Sequence, residues 1–144
     1  MNASRKSNRL GKDSMAFLLE GTPLQIIDRI RQGLPVSCLG MASSALGMTV
    51  AEFMAAVGLD RIRMERRSKG KRVLTVDAGN VLVRFAELYR NTLVVLGNQE
   101  LACKWLKQDL YILGGVSPLS LCDTEFGADL VRQKLRAIEY GMPA

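Results

Sequence analysis

Between Thr75 and Leu96 the chain runs without a proline, and its apolar side chains do not keep to one face. Val81, Leu82, Phe85, Leu88, Tyr89, Leu93 and Leu96 form one broad stripe at helical spacing, and Val83, Ala86, Val94 and Val95 widen it. A helix of this length spans about 30 Å. Being apolar on more than one side, it has to be buried on more than one side. Either the two ends of the chain wrap it, or a second copy shares it. The sequence favours a homodimer seam combined with packing against the C-terminal part of the chain, which places Val81, Phe85, Leu88 and Tyr89 at that seam. A monomer whose ends cover the helix is the alternative.

N-terminal to this helix the pattern is short and punctuated by glycine. Thr22-Pro23-Leu24-Gln25 is a capping box with proline at the first helical position, and the helix it starts ends at Gly33. Pro35 opens a second helix lined by Leu39, Ala42 and Leu46, stopped by Gly47. Thr49-Val50-Ala51-Glu52 is another capping box, and Phe53 and Val57 face inward from the third helix before Gly58. Asp60 is read as the cap of a fourth helix carrying Arg61, Arg63, Arg66 and Arg67. Short helices with glycine turns suit a helix-turn-helix domain.

Two frames compete for that motif. One pairs the second and third helices across Gly47. The other pairs the third and fourth across Gly58, and it places arginines in a DNA groove, where they match guanine edges and phosphates. The third helix offers a groove only Glu52 and small apolar side chains, so the second frame is preferred. Arg61, Arg63, Arg66, Arg67, Lys69, Lys71 and Arg72 are then the expected DNA contacts. Charge supports a DNA-facing first half. Residues 1–72 hold thirteen Lys/Arg against six Asp/Glu, whereas residues 73–144 hold seven against eight. The positive charge is thus confined to one half, as expected of a nucleic-acid partner there.

After the long helix, Asn98 caps a helix with Leu101, Ala102, Trp105 and Leu106. Gly114-Gly115 breaks the chain, and Ser117-Pro118 starts a short helix through Leu121. Asp123 or Thr124 caps the last helix, whose inner stripe is Ala128, Val131, Leu135 and Ile138 and which Gly141 stops. Trp105-Leu106, Leu113-Gly114-Gly115, Ser117-Pro118-Leu119, Asp123-Thr124-Glu125-x-Gly127-Ala128 and Ile138-Glu139-Tyr140-Gly141 resemble the toxin-binding domain of Xre/ParS/MbcA-type antitoxins. The Leu59–Arg67 segment and the basic residues after it resemble that family's N-terminal domain. The resemblance implies a RES-domain toxin as partner, one that consumes NAD or transfers its ADP-ribose, and a C-terminal end that reaches into the toxin's NAD cleft. Tyr140 and Gly141 are then the plug, and Arg132, Arg136 and Glu139 flank it.

Enzyme chemistry is not expected. The chain has no histidine, no Ser/His/Asp set and no carboxylate cluster for a metal, and Gly70-Lys71 lacks the rest of a phosphate-binding loop. No cofactor is implied. Cys38, Cys103 and Cys122 lack zinc-ligand spacing and read as reduced thiols of a cytoplasmic protein. No apolar run reaches the roughly 18 residues of a membrane span. The expected fold is all-α: a flexible basic tail over 1–20, a helix-turn-helix DNA-binding domain over 21–75, the long dimerisation helix over 76–97 and a small helical toxin-binding domain over 98–144. The expected function is that of a type II antitoxin that occludes a RES-type toxin and binds operator DNA to autoregulate. A stand-alone dimeric helix-turn-helix regulator is the alternative.

Overall fold

Side-chain caps start five of the helices, where a hydroxyl or amide oxygen accepts from an otherwise unpaired backbone N–H. Thr22 and Thr49 form complete capping boxes with Gln25 and Glu52. Thr75, Asn98 and Thr124 accept from the N–H groups of Ala78, Leu101 and Gly127. The computed structural model describes residues 15–141. Among these the chain forms α1 (Pro23–Gln32), α2 (Cys38–Ala45), α3 (Val50–Ala56), β1 (Glu65–Ser68), β2 (Lys71–Leu74), α4 (Val76–Leu96), α5 (Gln99–Lys107) and α6 (Glu125–Glu139). Short 3-10 turns lie at Phe17–Leu19, Tyr111–Leu113 and Leu119–Asp123. The fold is mostly helical. α2 and α3 meet at 86°, the geometry of a helix-turn-helix, so the motif is the one framed across Gly47.

The fourth helix expected from Asp60 is absent. Asp60 Oδ1 instead accepts from the Ile62 N–H at 2.8 Å in a turn, and the chain then becomes extended. β1 and β2 pair antiparallel, with Glu65 opposite Leu74, Arg66 opposite Val73, Arg67 opposite Arg72 and Ser68 opposite Lys71. The physical reason lies in the apolar spacing. Between Asp60 and Arg67 only Ile62 and Met64 are apolar, two residues apart, which gives a helix nothing to bury. Lys69 and Gly70 make the tight turn at φ 52° and 76°, both left-handed as a type I′ hairpin requires.

α4 is the axis of the core. Ala78, Gly79, Val81, Leu82, Val83, Phe85, Ala86, Leu88, Tyr89 and Thr92 are all buried within the single chain. Phe53 of α3 meets Phe85 edge to face at a centroid distance of 5.1 Å, and Tyr89 lies 5.9 Å beyond. α1, α2 and the Phe17–Leu19 turn cover one side of α4, while α5, α6 and the Leu119–Asp123 turn cover another. Val81, Phe85, Leu88 and Tyr89 are therefore core residues of one chain and not a dimer seam: both ends of the chain already take up the apolar faces. The covering includes residues 15–20, for which the sequence predicts a flexible tail. Met15 and Leu18 are buried, because Met15–Leu19 is itself a mostly apolar run. Residues 1–14 lie outside the described part.

At the other end Gly127 is fitted by close approach. A Cβ there would collide with the Leu121 carbonyl, so only glycine lets α6 seat on the preceding turn. Phe85→Ala should lower the unfolding free energy by about 3–5 kcal/mol in urea titration. Dissociation of a dimer with folding intact would contradict burial of Phe85 within one chain.

Candidate functional site

The helix-turn-helix face carries little charge of its own. On α3, Phe53 and Met54 point into the core, leaving Val50, Ala51, Glu52 and Ala55 exposed. The Glu52 carboxylate is occupied by its capping box, and the Thr49 N–H and hydroxyl hold it below the usual carboxylate range. The exposed α3 side chains thus offer methyl groups rather than donors. For that reason the sequence ranks this helix below the arginine segment as a groove reader, although the capping box after Gly47 marks it plainly as a helix.

The seven expected DNA contacts do not share a helix face. They lie along the turn and hairpin that follow α3, and they divide by partner. Arg66 Nη2 donates to the carbonyls of Arg31 and Gln32 at 3.0 and 3.3 Å, tying β1 to the end of α1. Arg72 makes a bidentate pair with Glu65, at 2.9 and 3.0 Å, diagonally across the hairpin. Arg63 lies 3.8 Å from Asp60 with both side chains solvated, so that pair contributes little. Arg61, Arg67, Lys69 and Lys71 are exposed. The hairpin base stands beside the motif: Val50 and Met54 of α3, Ser37 and Gly40 of α2, and Arg61, Glu65 and Arg72 line one cleft of about 420 Å³.

The C-terminal candidates gather more closely. α6 buries Gly127, Ala128, Val131 and Leu135. Arg132 is taken by Glu125 at 2.8 Å and approaches Asp129 at 3.7 Å, so it is less solvated than expected. Arg136 and Glu139 are exposed. With Arg132 they line a groove of about 350 Å³ against Arg90, Asn91 and Val94 at the end of α4. Helical periodicity places Val94 in the core stripe and so hides this groove from the sequence, but Val94 is 73% exposed. Tyr140 ends α6 with 78% of its surface exposed, and Gly141 follows in the left-handed region at φ 73°. Residues 142–144 lie outside the described part.

Hydrogen bonds link the two halves of the chain. Arg84 of α4 donates to the carbonyls of Cys122 and Asp123, at 2.8 and 3.1 Å. From α5, Lys107 Nζ donates to the Leu46 carbonyl at 2.7 Å and Cys103 Sγ to that of Ala45 at 3.1 Å, capping the end of α2. Burial pushes the Cys122 thiol up to about 12, and Cys38 and Cys103 upward as well, so none is poised as a thiolate nucleophile. Among the described residues no group of three His, Cys, Asp or Glu could hold a metal, and no single helix is long and apolar enough to cross a membrane.

Comparison with known proteins follows the same division. Residues 25–87 match the antitoxin Xre-like helix-turn-helix domain, and residues 92–141 match the antitoxin Xre/MbcA/ParS C-terminal toxin-binding domain. The first match ends, and the second begins, inside α4. Antitoxin Xre of Photorhabdus laumondii is 29% identical, over 88% of this chain and 78% of that protein. Prs ADP-ribosylating antitoxin of a Sphingobium species is 24% identical, over 96% of this chain and 94% of that protein.

The division of the arginines by partner gives a direct contrast. Arg66→Ala removes donors from two backbone carbonyls and should lower stability by about 1 kcal/mol. Arg67→Ala should leave it within about 0.5 kcal/mol. Urea unfolding of the two variants side by side checks this, and equal losses would contradict the anchoring role of Arg66.

Proposed function

The chain belongs to the Xre/MbcA/ParS family of antitoxins, and from that premise we propose that it neutralises a RES-type toxin by placing its C-terminal end in the toxin's active site. Tyr140 and Gly141 enter first, and Arg136 and Glu139 meet charges at the rim. Arg132 braces the helix through Glu125 instead of reaching out. The observation that carries this reading is the position of Tyr140. It is an aromatic ring left uncovered at the very end of a helix, within the stretch matched to a toxin-binding domain. A large, rigid ring with a polar tip makes an interface anchor at low entropic cost. The name of the Sphingobium relative joins antitoxin with ADP-ribosylation, which favours a toxin that handles the ADP-ribose of NAD. This chain needs no chemistry of its own for that role, since filling the cleft excludes the substrate.

The same protein binds operator DNA through α2 and α3, and so represses its own synthesis. The basic first half supports this, with α3 laid in the major groove as the second helix of the motif. Two copies on an operator would meet through exposed side chains such as Leu24 or Val94 rather than through the buried face of α4.

Deleting 139–144 removes the tip of α6 and little core. The truncated protein should fold and bind DNA as the full chain does, yet fail to protect cells co-expressing its toxin. Cell growth and NAD content report the outcome. Full protection by the truncated chain would refute the plug.

A further inference from the structure

We propose that the β1–β2 hairpin is a DNA-contacting wing, whose tip enters the minor groove beside α3 and binds the phosphates on its two walls. This rests on the operator-binding reading above and adds a second contact surface to it.

Four observations converge on the hairpin. The first is its place in the chain. It follows the helix-turn-helix directly, and Val73 of β2 bridges to Pro35, between α1 and α2, while the Leu74 N–H donates to the Leu34 carbonyl at 2.8 Å. A helix, a bridging residue, two helices and a hairpin make a winged motif, with the hairpin base fixed against the body. The second is the distribution of burial. Val73 and Leu74 are buried at the base, while Arg67, Lys69, Gly70 and Lys71 are exposed toward the tip. The strands extend about 13 Å at the usual rise per residue, enough to project beyond the domain.

The third is charge. By the pairing register, Arg67 and Arg72 project from one face of the hairpin, and Arg66 and Lys71 from the other. Arg66 and Arg72 are consumed in holding the hairpin to α1 and to itself. Arg67 and Lys71 are left on opposite faces, with Lys69 at the apex. A thin element with cations on both faces fits a slot with anions on both walls, which the minor groove is. The fourth is strain. Lys69 is the one non-glycine residue with positive φ among those described, at the first position of a turn where asparagine or glycine sits more easily. A side chain held in a disfavoured conformation points to a use for that side chain.

The test uses the full chain and a 30-base-pair random-sequence duplex, since phosphate contacts do not depend on sequence. Binding is followed by fluorescence anisotropy across salt concentrations. The variant R67T/K69N/K71T removes the charges but keeps the hairpin, because Asn-Gly is the preferred type I′ pair and threonine suits a strand. Unchanged circular dichroism and melting temperature establish that it folds. Three lost phosphate contacts should make the salt slope shallower by about 2 to 3, and weaken binding at 0.1 M salt by about two orders of magnitude. K104Q, on α5, should change neither. A wild-type salt slope in the triple variant would overturn the wing while leaving operator binding by α2 and α3 intact. A wild-type chain that binds no duplex would overturn both.

Discussion

Phe85 sits at the middle of α4 with the edge of Phe53 against it, and this contact joins the helix-turn-helix to the helix on which everything else is built. A 21-residue helix with apolar groups around most of its circumference has no stable existence in water. It needs cover on several sides, and this chain supplies it along most of the helix, leaving Val94 near the end exposed. The N-terminal helices take one side and the C-terminal helices another, so neither end has a complete core without α4. The two halves are better described as sharing one helix than as beads on a linker.

That sharing has consequences for how the surfaces relate. The carbonyls at the end of α2, next to the turn of the helix-turn-helix motif, are capped by Cys103 and Lys107 of α5. The turn before α6 is held by Arg84 of α4. Each surface therefore rests on polar contacts supplied by the other half, on top of a continuous apolar core.

The basic residues show how one residue type serves two purposes. Arg66 and Arg72 bond to carbonyls and to Glu65 and so build the hairpin. Arg61, Arg67, Lys69 and Lys71 carry charge into solvent and do not contribute to the fold in this way. Glu65 looks out of place in so basic a segment. Its place is explained by Arg72, which it neutralises where the register sets Arg67 directly opposite and two like charges would otherwise repel.

The sequence alone determined the local features. Capping boxes at Thr22 and Thr49, the caps at Asn98 and Thr124, the stop at Gly141 and the extent of α4 are all contained in a few neighbouring residues, because capping and helical periodicity are short-range. The ordered motifs of the last third were likewise readable as a series, and Gly127 among them has a steric reason. Only the tertiary structure decided what covers α4. Hydrophobic burial is non-directional, so an apolar face states that it must be covered and not whether a second copy or the same chain does so. It also decided the fate of Arg61–Arg72. Arginine is tolerated in helix and hairpin alike when exposed, and the choice was made by Val73, Leu74 and Met64 finding the core, with Leu34, Pro35 and the carbonyls of Arg31 and Gln32 as partners more than thirty residues away. No local pattern carries information at that distance.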